Sequence, residues 1–125
     1  MLKSLWVGLG GFLGSTARYW LGGFLNRLSP QALFPYETLV INLSGCLGIG
    51  LLAGLAEFRG VLSPELRLFL LVGILGGFTT FSSFGYETFQ LLRDGEIVSA
   101  GLNVTLHCVL GIAAVWGGYT LARFV

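Results

Sequence analysis

Long apolar stretches dominate the chain, at about residues 4–25, 37–57, 67–91 and 97–123, and each is interrupted by few charged positions. The hydrocarbon core of a bilayer is about 30 Å thick and a helix rises about 1.5 Å per residue, so roughly 20 mostly apolar residues make one crossing. The pattern therefore predicts four transmembrane helices. Short connections separate them: residues 26–35 with Pro30 and Pro35, residues 58–65 with Gly60 and Pro64, and residues 93–96 with Asp94 and Gly95, all rich in turn formers or charge. Ser63, Pro64 and Glu65 read as the N-cap, first-turn proline and first-turn acid that open the third helix. The start, Met1-Leu2-Lys3-Ser4, has the look of a secretory leader, whose apolar region is roughly 7–15 residues. Here the apolar pattern continues to about Leu25 without a convincing cleavage site, so a retained first helix is expected.

Composition agrees with the pattern and narrows the function classes. Of 125 residues, 54% are hydrophobic and 10% charged, with a mean hydropathy of +0.83, whereas soluble domains carry about 25% charged residues. Four crossings use nearly the whole chain, so a single transmembrane domain over residues 1–125 is expected, with no appended soluble catalytic domain. A net charge of +1 without a basic run leaves no electrostatic footprint for nucleic acid. Cys46 and Cys108 lie alone in separate segments and are expected to be small buried core residues. Trp6, Trp20, Tyr36, Trp116 and Tyr119 lie toward helix ends, as interfacial anchors or as packing residues.

An even number of crossings puts both termini on one side of the membrane. That side carries Lys3, Arg59, Arg67 and Arg123, the other Arg27 and Arg93, with Arg18 inside the first helix. So small a Lys/Arg difference leaves insertion in both orientations open, and with it an antiparallel pair of copies. Four short helices leave little room for a polar pathway through their own centre, so any pathway is expected between subunits. Gly8, Gly11, Ser15, Arg18 and Gly22 share one helix face, and Gly10/Gly14 and Gly50/Gly54 form GxxxG pairs. These small faces suit packing within one copy and a seam between two copies equally well.

Polar residues inside the apolar segments are the most informative positions, because hydrocarbon penalises them. The least ordinary stretch is Gly76-Gly77-Phe78-Thr79-Thr80-Phe81-Ser82-Ser83-Phe84. Paired glycines followed by paired threonines weaken a helix at mid-span, and a break is favoured over a continuous helix with a packing notch. A break in lipid must be buried in protein or face a polar cavity, and it frees carbonyls that can bind a cation. Beyond it, Thr80, Ser83 and Glu87 share a face, with Phe81 and Phe84 on an adjacent one; Ser99, Asn103 and His107 form a second stripe in the fourth segment. Hydroxyl and amide donors, with positive aromatic ring edges, suit an anion better than a cation or a proton relay. A Phe pair at this spacing and a lone histidine are also ordinary packing residues. GxSxG, HExxH and paired-carboxylate motifs are absent, so an enzyme is not expected.

Three motifs, Gly10-Gly11-Phe12-Leu13-Gly14-Ser15-Thr16-Ala17-Arg18-Tyr19, Asn42-Leu43-Ser44-Gly45 and the stretch from Gly76 to Phe84, together make the chain resemble the Fluc (CrcB) family of fluoride channels over essentially its whole length. The resemblance implies an all-α integral membrane protein, with four transmembrane helices per subunit, a broken third helix and an antiparallel dual-topology homodimer. Its implied function is fluoride-specific, passive, electrogenic export across a bacterial inner membrane, through two pathways per dimer, which lowers fluoride toxicity. It further implies a central structural sodium ion, not transported, held by backbone carbonyls of Gly76 and Thr79 from both subunits. By the same resemblance Phe81, Phe84 and Asn42 line the fluoride path, Thr80, Ser82, Ser83 and Glu87 form its polar track, and Arg18 stands at the vestibule and subunit contact. Asn103 and His107, in the more variable fourth helix, are also expected along the fluoride path, and Ser83 stands where many relatives have threonine. The rival reading is a small dual-topology, proton-coupled multidrug or guanidinium transporter, expected to carry an essential glutamate in its first helix; this chain has none there.

Overall fold

The computed structural model describes Leu2–Leu28, Pro30 and residues 32–125; Met1, Ser29 and Gln31, which fall in the expected leader-like start and first connection, lie outside the described residues. The described residues form helices and connections, without strands. Helix α1 spans Leu2–Leu28 and α2 Tyr36–Phe58. Then α3 (Pro64–Arg67) continues into a π-helical stretch (Leu68–Leu75) and α4 (Gly76–Phe78), followed after two extended residues by α5 (Phe81–Arg93) and finally α6 (Ile97–Leu121).

Local chemistry fixes the ends. The Ser63 hydroxyl accepts from the Leu66 N–H at 3.2 Å, with Pro64 in the first turn and Glu65 beside it, the cap expected from sequence. Gly60 and Gly95 have positive φ, 62° and 81°, and turn the chain after α2 and after α5, where a side chain would be strained. Helix α6 stops at Leu121 rather than at residue 123, because the Arg123 and Phe124 N–H groups donate to Thr120 and Leu121 in tight turns.

Among the described residues, three helical runs are long and apolar enough to cross a membrane: α2, the run from Pro64 to Arg93, and α6. The chain is an all-helical membrane protein. Helix α1 has 27 residues, about 40 Å at 1.5 Å per residue. Its length suffices for a crossing, while glycines, Lys3 and Arg18 dilute its apolar character.

Glycines set how the helices meet. A Cβ on Gly10 would strike Phe69 and Gly73 of the π stretch, and one on Gly14 would strike Ile74 and Phe78, so α1 lies backbone to backbone against the third run. Gly50 and Gly54 stand in the same relation to Val115, Tyr119 and Ala122 of α6 and its end. Both GxxxG pairs therefore pack within one copy. On the other expected face, Gly8 and Gly11 point into open space, while Gly22 abuts the Glu37 side chain. The buried apolar interior is small, chiefly Leu39, Ile41, Leu91, Ala100 and Ala122, and large apolar side chains cover the outside, as lipid contact requires.

Candidate functional site

Thr79 and Thr80 leave the helical conformation (φ −83°, ψ 158° and φ −148°, ψ 110°) between α4 and α5. Two extended residues in an apolar setting need partners for their peptide groups, and the motif on α2 supplies them. The Thr80 N–H donates to Asn42 Oδ1 at 2.9 Å, and Asn42 Nδ2 donates to the Thr80 carbonyl at 3.1 Å. One turn on, buried Gly45 has no side chain and so admits the Thr79 methyl group. Thr80 also caps α5, its hydroxyl accepting from the Ser83 N–H at 3.3 Å.

These bonds have a consequence for two carbonyls. In a continuous helix the Thr80 N–H would serve the Gly76 carbonyl, and the Ser83 N–H would serve that of Thr79. Both donors are engaged elsewhere, with Asn42 and with the Thr80 hydroxyl. The oxygens of Gly76 and Thr79 thus lose their helical donors, and they are the pair that the family resemblance implies for a cation.

Two clefts meet at Thr80. One, of about 670 Å³, is lined about equally by polar and apolar surface, its polar side being Arg18, Glu37, Thr38, Thr80, Ser83 and Glu87 among others. The second, of about 400 Å³, is mostly apolar; Thr79, Thr80, Phe81, Phe84, His107 and Asn42 lie on it, with Gly76 and both cysteines. Thr80, Ser83 and Glu87 therefore share a face, as their spacing predicts. The Thr80 hydroxyl donates to Ser83 Oγ at 3.0 Å and lies 3.3 Å from Ser82 Oγ. With Thr80 as donor, the Ser83 proton is left without an acceptor among the described residues. The Phe81 and Phe84 rings lie 5.4 Å apart; Phe81 is 83% exposed, whereas Phe84 is half-buried with its ring 4.4 Å from that of His107. Half-buried Arg18 makes no ion pair among the described residues.

Sequence reasoning passed over Glu37, Thr38 and Thr88. Buried Thr38 donates to Glu87 Oε1 at 2.5 Å, and Thr88 joins Phe84 to Asn103. Thr38 stands four residues before Asn42, so the spacing that marks a helix face would have found it. The second polar stripe divides: Asn103 is fully buried and bonded to Thr88, and His107 Nδ1 donates to the Asn103 carbonyl at 2.9 Å, but Ser99 turns to Glu96 instead. Glu87 Oε2, Asn103 Oδ1 and His107 Nε2 are buried without partners. Cys46 is half-buried and Cys108 exposed, so Cys108 is not the core residue expected from sequence; it sits on the outer face of α6 at the rim of the apolar cleft. Among the described residues no group of three or more His, Cys, Asp or Glu is placed to hold a metal ion.

Residues 5–119 match the family model described as CrcB-like protein, Camphor Resistance (CrcB). The chain is similar to a protein of Methylobacillus flagellatus named fluoride-specific ion channel FluC, with 44% identity over 98% of this chain and 96% of the relative. A protein of the same name from Geobacter sulfurreducens is 46% identical over 98% of each chain. Fluoride-specific ion channel FluC 3 of Methanosarcina barkeri is 42% identical over 98% of this chain and 91% of its own.

Proposed function

This chain belongs to the CrcB-like family, and we propose that it is a fluoride-specific ion channel that lets fluoride leave the cytoplasm passively and electrogenically across the bacterial inner membrane. The family is one of channels and not of enzymes. The observation that carries the reading is the unengaged Ser83 proton in the first cleft, on a hydroxyl bonded to Thr80, where that cleft meets the apolar one.

Fluoride is small and strongly hydrated, so a selective path must replace water contacts while binding weakly enough to release the ion. Arg18 raises the local concentration of anions in the first cleft. Ser83, relayed to Thr80 and Ser82, offers hydroxyl donors that rotate to meet the ion. Next come the rings of Phe81 and Phe84, whose positive edges attract a small anion weakly. Asn42 acts by holding Thr80 in place, and Glu87, bonded to Thr38, keeps its second oxygen buried without a partner.

Exposed Phe81 and the open face of Gly8 and Gly11 suit a second copy. In our reading α1 is the fourth crossing, the run from Pro64 to Arg93 is the broken third, and two copies assemble antiparallel with two pathways. The Gly76 and Thr79 carbonyls fit a structural sodium ion. Oxygen donors of neutral backbone suit a hard monovalent cation, and those two oxygens have lost their helical donors. When bound, sodium would add fixed positive charge at the centre of the dimer.

Fluoride efflux from liposomes containing the purified protein tests the reading. The expected outcome is rapid fluoride loss that requires a charge-compensating potassium ionophore, with chloride retained. Absence of fluoride flux from a folded protein, or flux that needs a proton gradient, overturns it; the latter outcome selects the proton-coupled transporter.

A further inference from the structure

Among the ring pair of the apolar cleft, Phe84 is the one this chain itself can hold, because Phe81 projects 83% exposed and touches Phe84 from outside. Around Phe84 the contacts close into a circuit. The Thr88 hydroxyl donates to the Phe84 carbonyl at 2.7 Å. Asn103 Nδ2 donates to Thr88 Oγ1 at 2.9 Å, crossing from α6 to α5. His107 Nδ1 donates to the Asn103 carbonyl at 2.9 Å, and its ring returns to the Phe84 ring at 4.4 Å. Backbone and ring of one phenylalanine are thus tied to the same strip of α6.

The chemistry of this circuit argues against fluoride ligands. A carbonyl can only accept, so His107 Nδ1 must carry the proton, and in the neutral ring Nε2 then presents a lone pair, which repels an anion. Asn103 is fully buried, and its one engaged donor group is spent on Thr88. Plain stabilisation does not account for the arrangement either. It leaves Asn103 Oδ1 and His107 Nε2 buried without partners, which offsets what the bonds contribute.

We propose that Thr88 and Asn103, acting with His107, are positioning residues that fix the Phe84 ring against the anion path. This rests on the fluoride reading only for its effect on flux. Thr88 is the member to change, since its side chain lies on neither cleft and its hydroxyl joins α5 to α6. In Thr88→Val the shape stays and the hydroxyl goes; in Thr88→Ser the hydroxyl stays.

The test combines flux with a report from the ring, using 4-fluorophenylalanine placed at position 84 and fluorine NMR of the dispersed, intact protein. The parent and Thr88→Ser are expected to give one sharp resonance, and Thr88→Val a broadened or divided one. Fluoride efflux is expected to fall about tenfold or more in Thr88→Val, since small misplacements of a site group cost that much, and to return with Thr88→Ser. Should Thr88→Val not fold, Asn103→Ser cuts the same link and carries the same expectations. An unchanged resonance in the folded variant overturns the proposal whatever the flux does. If the parent itself passes no fluoride, the channel reading falls while the resonance still decides whether the circuit holds the ring.

Discussion

Asn42 satisfies both the N–H and the carbonyl of Thr80 with one side chain, and this pair of hydrogen bonds is what allows extended backbone to persist in an apolar surrounding. Asn42→Leu leaves a half-buried N–H and carbonyl unpaired, each costing up to about 1–3 kcal/mol. The expected result is a fall of about 2 kcal/mol or more in stability, read by thermal unfolding in detergent, with loss of fluoride flux. Ser83 behaves differently, because its free proton stabilises nothing in the resting chain. Ser83→Ala should therefore change stability by less than about 1 kcal/mol while slowing fluoride efflux; normal efflux would remove Ser83 from the path. Asn42, Thr80, Ser83 and Phe84 were all legible as candidates from residue type and spacing. Whether Asn42 faces an ion or a peptide group was not, because the answer depends on which backbone atoms the fold brings beside it.

The helices divide their glycines between two roles that spacing alone leaves open. Gly10 and Gly14 on α1, and Gly50 and Gly54 on α2, meet backbone of the same copy, whereas Gly8 and Gly11 point outward. A methyl group on Gly14 would strike the Ile74 carbonyl, which has no side-chain freedom to yield. Gly14→Ala is expected to destabilise by about 1–3 kcal/mol and to lower the yield of folded protein. By contrast, Gly8→Ala meets nothing in its own copy and removes backbone entropy from a helix, so the isolated chain gains about 0.5–1 kcal/mol. Equal effects of the two substitutions on the unfolding temperature would contradict this division. Helix ends show the opposite balance. The Ser63, Pro64 and Glu65 start was readable in advance because capping is a contest among neighbours in sequence. The π-helical stretch at Leu68–Leu75 was not, since local sequence does not distinguish its wider turns from α-helical ones; it lies where the α1 backbone approaches Gly73.

At the scale of the whole molecule, one copy leaves Phe81 and Gly8 uncovered, and in our reading it would supply only two carbonyls to a cation. Our reading therefore expects a dimer in measurements of mass in detergent, and labelling of engineered cysteines from both sides of the membrane. It further expects that replacing sodium on both sides of the bilayer suppresses fluoride flux, while no sodium current passes. A sodium current, or full flux without sodium, counts against the carbonyl site. The sequence by itself determined that this is a helical membrane protein with almost no fixed charge in its interior, because the apolar length needed to cross lipid and the penalty on polar groups there act on the chain one segment at a time. Only the tertiary structure decided which polar groups are engaged and which are free. Asn42 holds Thr80, Asn103 reaches Thr88, Ser99 turns away, Cys108 lies outside, and Ser83 keeps a proton to give. Hydrogen bonds of this kind depend on distances of about 3 Å between helices, and such distances are set by packing, to which spacing along one helix is blind.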